Sequence, residues 1–162
     1  IKPDGNTYGV DQVTIGSDGK ATTKFGLPQG ILGQWKIVAT SGSETVETFF
    51  RVKGSSSISI NLNATFLTLG ESVRISGRIS PSVTAQVTIE YRTESGGWTT
   101  LARVTASAGS YSYVWHPTEA GKYYLRASWL GNDNYFGATS DTVSLEVSAK
   151  QRSSIEMSLS AT

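Results

Sequence analysis

The chain has 162 residues, enough for one large domain or two small ones at about 100–150 residues each. Lys and Arg number 14 against 13 Asp and Glu, a net charge of +1, which excludes the cation surplus that a nucleic-acid binder or a polybasic membrane anchor needs. Cysteine is absent and no apolar run approaches the ~18 residues of a membrane helix, so disulfides, thiol catalysis, Cys-ligated metal and a helical span are excluded as well. Charged residues are only 17% against a usual ~25%, while Ser (23) and Thr (19) fill much of the remainder. The chain opens at Ile1 without the charged start and apolar stretch of a signal peptide, and is expected to be processed or cut from something larger.

Sustained i, i+3, i+4 apolar spacing is missing, and β-branched and aromatic residues fill the short runs instead. In chain order, strands are predicted at Val13 to Ile15, Ala21 to Leu27, Gln34 to Thr40 and Thr45 to Val52. The turns between them fall at Ser17-Asp18-Gly19, Pro28-Gln29-Gly30 and Ser41-Gly42-Ser43, and Asp18-Gly19 is a hairpin signal because both residues tolerate positive φ. Further on, Val73, Ile75 and Ile79 alternate with polar residues, as do Val87, Ile89 and Tyr91, then Tyr111, Tyr113 and Trp115. Tyr123, Leu125, Ala127 and Trp129 follow, and then Val143, Leu145 and Val147. Strand side chains alternate faces, so each run has one face for a core, and several such strands within about 95 residues read as a β-sandwich.

Two internal matches organise the chain. Residues 56–65 (SSISINLNAT) match 153–162 (SSIEMSLSAT), 97 residues on, the length of one sandwich domain. Gly33-x-Trp35-x-Ile37-x-Ala39 matches Gly121-x-Tyr123-x-Leu125-x-Ala127, 88 residues on, and Thr48, Phe50 and Val52 match Val143, Leu145 and Val147, 95 residues on. The second copy therefore carries seven extra residues, placed in the loop Gly131 to Gly137. A tandem array follows: 1–53 is the C-terminal half of one domain, 55–150 a complete domain, and 153–162 the first strand of a third. The linkers Lys53 to Ser57 and Ser148 to Ser154 are short and polar, and leave little slack. Alone, the half-domain should leave Trp35, Ile37, Phe50 and Val52 in water, at about 1.5–3 kcal/mol per large side chain. Either upstream chain or another subunit must complete it, with 153–162 the obvious donor in the second case.

The run from Gly121 to Tyr135 (GKYYLRASWLGNDNY), followed by Ser140 to Val147 (SDTVSLEV), resembles bacterial and archaeal Ig-like repeat domains of cell-surface proteins. Their last two strands read roughly G-x-Y-x-x-x-A-x-Y-x-G-D-x-x-Y; here Trp129 stands for the second Tyr and Asn132 for the first Asp. Leu69 to Gly77 (LGESVRISG) fits the opening of such a domain, and the resemblance covers about 95 residues. Pro3-Asp4-Gly5, Ser17 to Lys20 and Glu47 to Val52 are similar to the ends of related surface domains. The resemblance implies an all-β chain of tandem immunoglobulin-like β-sandwiches from adhesins, S-layer proteins, stalks or filaments. Such domains act outside the cell or on its surface as spacers and contact modules. Expected partners are copies of the chain or neighbouring Ig-like domains, with surface glycans or proteins in second place. No nucleic acid, no membrane insertion and no cofactor are expected. An adhesion module, or an accessory domain of a secreted enzyme, is the alternative.

Chemistry is sparse. His116 is the only histidine, lies between Trp115 and Pro117, and no G-x-S-x-G elbow exists, so no catalysis is expected. Asp4, Asp11, Asp18, Asp133 and Asp141 sit in turns, where Asx residues belong; the nearest approach to a calcium loop is Asn132-Asp133-Asn134. Trp35 and Trp129 fall in the apolar register and read as core. Trp98 and Trp115, with Tyr135 and Phe136 of the long loop, are the candidates for a surface contact, against the plainer role of capping one end of a sandwich. Asn63-Ala64-Thr65 is an N-glycosylation sequon that the next repeat lacks. Arg74, Arg78, Arg92, Arg103 and Arg126 form no run and are expected to keep the sheets soluble rather than to bind phosphate.

Overall fold

The computed structural model describes residues 1–150 and 155–157. Its regular structure there is entirely strand and turn, with no helix among the described residues. The chain divides into two compact units: Ile1–Ser55 with Gly131–Phe136, and Ser56–Leu130 with the residues from Gly137 on.

In the second unit, β3 (Ser57–Ile58), β4 (Asn61–Leu62) and β9 (Ser110–Trp115) all pair with β6 (Val73–Ser80). The other sheet runs β5 (Phe66–Thr68), β12 (Val143–Ser148), β10 (Gly121–Gly131), β7 (Ala85–Thr93) and β8 (Thr99–Ala106), with β11 (Phe136–Thr139) also on β10. β5 pairs with β12 in parallel, whereas β10–β12, β10–β7, β7–β8, β6–β9, β3–β6 and β4–β6 are antiparallel. The opening segment thus pairs first with one sheet and then, through β5, with the other, and later strands switch sheets in the order of an Ig-like sandwich. The core follows the alternation in the sequence: Val73, Ile75 and Ile79 from one sheet, and Val87, Ile89, Leu125, Ala127 and Leu145 from the other, are at most 2% exposed. Trp129 is buried as its register predicts, and its indole Nε1 donates to Ser56 Oγ at 3.2 Å. Tyr123, at the start of β10, donates its hydroxyl to the Glu119 carbonyl at 2.8 Å, the tyrosine corner of Ig-like folds.

One glycine is tied to the packing of β6. The ring of Tyr111 lies over Gly77, and the Tyr111 hydroxyl donates to the Ser59 carbonyl at 2.6 Å. A Cβ at residue 77 would stand 1.9 Å from that carbonyl oxygen, so only glycine fits.

The first unit holds one two-stranded sheet, β1 (Gly33–Ser41) with β2 (Glu44–Val52). Its register pairs Gly33 with Val52, Trp35 with Phe50 and Ile37 with Thr48. In the second unit β10 and β12 pair Gly121 with Val147, Tyr123 with Leu145 and Leu125 with Val143. The positions matched in sequence therefore hold the same places in two hairpins of identical pairing.

Two expectations for this unit are corrected. Val13 to Ile15 and Ala21 to Leu27 are not strands. The turn between them does form: Gly16 N donates to Lys20 O at 2.8 Å, Asp18 Oδ1 accepts from Lys20 N, and Gly19 has φ +75°. Local turn chemistry suffices for the turn, whereas an isolated strand has no ladder partner to satisfy its backbone. Trp35 is 2% exposed, as its apolar register predicts, and not in water as the half-domain taken alone would leave it. Tyr8 meets its ring edge-on at 5.6 Å and Phe50 stacks on it at 6.1 Å, so irregular chain covers what a second sheet covers elsewhere. The expectation holds for Ile37, 38% exposed. Of the segment 153–162, Ile155–Met157 are exposed and form no strand, and the rest lies outside the described residues.

Candidate functional site

The loop with the densest set of candidate contact residues is committed to the first unit's own structure. Asn132 Oδ1 accepts from the backbone N–H of Asn134 and of Tyr135, both at 2.9 Å, which makes Asn132 a turn former. Asp133 pairs with Arg51. Gly54 N donates to the Asn134 carbonyl at 2.8 Å, and Phe136 N donates to the Gly54 carbonyl at 3.0 Å. The Tyr135 ring lies against Gly54, where an added Cβ would approach it to 3.1 Å. Phe136 is exposed, with Lys53 Nζ 5.9 Å from its ring centre. Three of the other turn acids are occupied in the same way: Asp4 accepts from Asn6 N and pairs with Lys2, Asp11 accepts from the Thr23 hydroxyl, and Asp18 accepts from Lys20 N. No group of three His, Asp or Glu side chains able to hold a metal occurs among the described residues.

Trp115 closes β9 and joins an aromatic cluster at one end of the second unit, its ring centre 5.1 Å from Tyr123 and 5.5 Å from Tyr91. A cleft of about 210 Å³ opens beside these rings, bordered also by Leu101, His116 and Glu119. Burial, the Glu119 charge and Tyr91 push the Tyr123 hydroxyl above the usual phenol range, so the corner hydrogen bond persists into alkaline solution. His116 is exposed at the strand end. Asn63, also exposed, uses Oδ1 to accept from Arg74 N at 2.6 Å.

Trp98 sits between β7 and β8 and faces cations of its own unit. The Arg126 guanidinium lies 4.1 Å from its ring centre and the Arg92 guanidinium 5.5 Å. Arg92 also lies 4.4 Å from the centre of Tyr124, over which Lys122 stands at 5.6 Å. Arg126 Nε donates to Glu90 Oε2 at 2.8 Å. This ladder of stacked cations and rings on the outer face of β10 and β7 was not anticipated from the sequence. Its signal is the alternation Lys122-x-Tyr124-x-Arg126 beside Glu90-x-Arg92, visible only once the register that sets Tyr124 opposite Arg92 is known.

The first unit carries the larger opening, a cleft of about 520 Å³ over the apolar face of its hairpin, floored by Trp35, Ile37 and Phe50 and flanked by Tyr8 and Phe25. That face continues past the cleft through Ala39 to Val46, which is 70% exposed.

No family model matches the chain, and no curated protein matches it. Among solved structures it is similar to a chain in a study titled the structural basis of T cell specificity and activation by the bacterial superantigen toxic shock syndrome toxin-1. That likeness has 14% identity and a TM-score of 0.42, over 57% of this chain and 98% of the other. It is also similar to the CARDB domain of a Pyrococcus furiosus protein, solved in complex with di-metal ions, with 13% identity and a TM-score of 0.35, over 59% of this chain and 94% of the other.

Proposed function

We propose that the chain is a non-enzymatic structural segment of an extracellular or cell-surface protein, a spacer, stalk or filament or S-layer part built from tandem Ig-like domains. In this reading 1–53 is the C-terminal half of one domain, 55–150 is complete, and 153–162 opens another. The observation that carries it is the shared register of β1–β2 and β10–β12, because equal pairing at matched positions is what duplicated domains produce. In the second unit, β10 has β7 on its free side and β12 has β5; among the described residues β1 and β2 have only each other. A bare two-stranded sheet with an open apolar face calls for added strands. Residues 153–162 match 56–65, which pair with β6 in the sheet opposite β10–β12 and bury Ile58 and Ile60; from a neighbouring copy they supply matching apolar residues to cover the open face of β1–β2.

Light scattering with negative-stain microscopy tests this on the full chain and on a chain ending at Arg152. Regular filaments from the full chain, lost on truncation, are expected. A compact monomer at every concentration, or filaments unchanged by truncation, overturns strand donation. A second reading, a glycan-holding adhesion module, draws on the cleft beside Trp115. Glycan-array binding lost on Trp115→Ala would favour it.

A further inference from the structure

The outer face of the sheet β12–β10–β7–β8 carries cations in an ordered line. Lys122 and Arg126 point outward from β10, Arg92 from β7 and Arg103 from β8, each in the polar half of its strand's alternation. The register sets Tyr124 opposite Arg92, Arg126 opposite Glu90, and Thr88 between Ser128 and Arg103. Lys122, Arg92, Arg126 and Arg103 therefore fall in four successive outward rows, one cation per row. Rows two residues apart are spaced by about 6.5–7 Å along the strands. Against these four stand two outward carboxylates, Glu90, paired to Arg126, and Glu146, opposite Lys122. Arg92, Arg103 and Lys122 form no ion pair among the described residues. Arg92 is also fixed in place, between the rings of Tyr124 and Trp98 and with Nη1 3.4 Å from the Thr93 carbonyl.

We propose that this face binds a carboxylate-bearing polysaccharide, a polyuronate strand lying along the line Lys122–Arg92–Arg126–Arg103. Arg126 spends Nε on Glu90, and Arg92 has Nη1 near the Thr93 and Glu94 carbonyls; the remaining N–H groups of these stacked guanidiniums lose little conformational entropy when they take up a carboxylate. The single cations in successive rows are staggered between β10, β7 and β8, a band along which an extended polyanion can run. The same contacts disfavour other partners. Guanidiniums lie on the Trp98 and Tyr124 rings, so neither ring is open for a base or a neutral sugar to stack on. The rows from Lys122 to Ser128 have no exposed large apolar side chain to anchor a protein partner. This inference is independent of the strand-donation reading, because it concerns the complete second unit alone.

The test is calorimetry on the full chain with oligogalacturonate at low salt. Neutral cello-oligosaccharide, a heparin oligosaccharide, polyglutamate and a single-stranded DNA oligomer serve as comparators. Expected is a salt-sensitive affinity for oligogalacturonate above that for every comparator. Arg92→Gln should weaken it about tenfold, and Arg103→Gln, which touches no ring of the ladder, by about threefold. Arg92→Lys should fall between wild type and Arg92→Gln, because it keeps the charge without the planar fork. Arg74→Gln with Arg78→Gln, on the opposite sheet, should leave the affinity within about twofold, as for exposed charges away from a contact. Thermal unfolding of each variant checks that the face is intact. Absent binding, equal loss from the Arg74 and Arg78 pair, or tighter binding to heparin, polyglutamate or DNA overturns the proposal.

Discussion

The hairpins β1–β2 and β10–β12 share a sequence pattern and a register, yet differ in what surrounds them. Leu125 of β10 is fully buried between two sheets, while Ile37, its counterpart in β1, is 38% exposed. At Tyr123 and Trp35 the outcome is alike, 6% and 2% exposed, but the means differ. Tyr123 is held by the aromatic cluster of a sandwich end and by a corner hydrogen bond, Trp35 by Tyr8 and Phe50. A strand pattern specifies a hairpin; whether its apolar face is buried depends on strands from elsewhere in the chain or from another molecule.

The largest expected effect sharpens that contrast directly. Leu125→Ala should cost about 2–5 kcal/mol, because it empties a site with no exposure. The matched change Ile37→Ala should cost under about 1 kcal/mol. Denaturant unfolding monitored by residue-resolved NMR measures both. Equal costs would mean that the first unit's face is covered in solution.

Gly77→Ala comes next, at about 3 kcal/mol, since the new methyl meets the Ser59 carbonyl and the Tyr111 ring and the backbone of β6 must shift. A shift of the thermal midpoint by less than a few degrees would show that the second sheet gives way more easily than its packing implies.

Tyr111→Phe should cost about 1–2 kcal/mol by leaving the Ser59 carbonyl without its donor. It should also change the response to alkali. Burial raises the ionisation of Tyr111 well above the ordinary phenol value, and Tyr123 is raised as well. Above about pH 10 the unfolded chain then ionises first. Stability should be level below that pH and fall as pH rises through it. Unfolding curves between neutral and strongly alkaline pH should show a shallower fall in the Phe variant.

The smallest effect belongs to the ladder. Glu90→Gln removes a partly buried ion pair and should cost about 1 kcal/mol, readable as a small change in urea midpoint. A cost of several kcal/mol would make the ladder a stabilising element first.

Most of the second unit was legible as alternation, because a strand buried on one face writes its core into every second residue; Val73, Ile75, Ile89, Leu125 and Leu145 all fell where the pattern put them. The two strands of the first hairpin were legible as well, at Gln34 to Thr40 and Thr45 to Val52, whereas the register that sets Trp35 against Phe50 came from the structure. The strands predicted at 13–15 and 21–27 failed because β propensity cannot act without a partner to complete the ladder. Among the candidate contact residues, Asn132 to Phe136 proved to be engaged by backbone and ion-pair contacts that join residues about 80 positions apart.

The sequence by itself determined strand class, core face, turn positions and the match between the two hairpin segments, all of which rest on local stereochemistry and period-two burial. Only the tertiary structure decided which side chains meet across strands. It set Arg92 between Tyr124 and Trp98, Tyr111 over Gly77 and Tyr8 against Trp35, because each contact depends on register and packing that bring distant segments within a few ångströms.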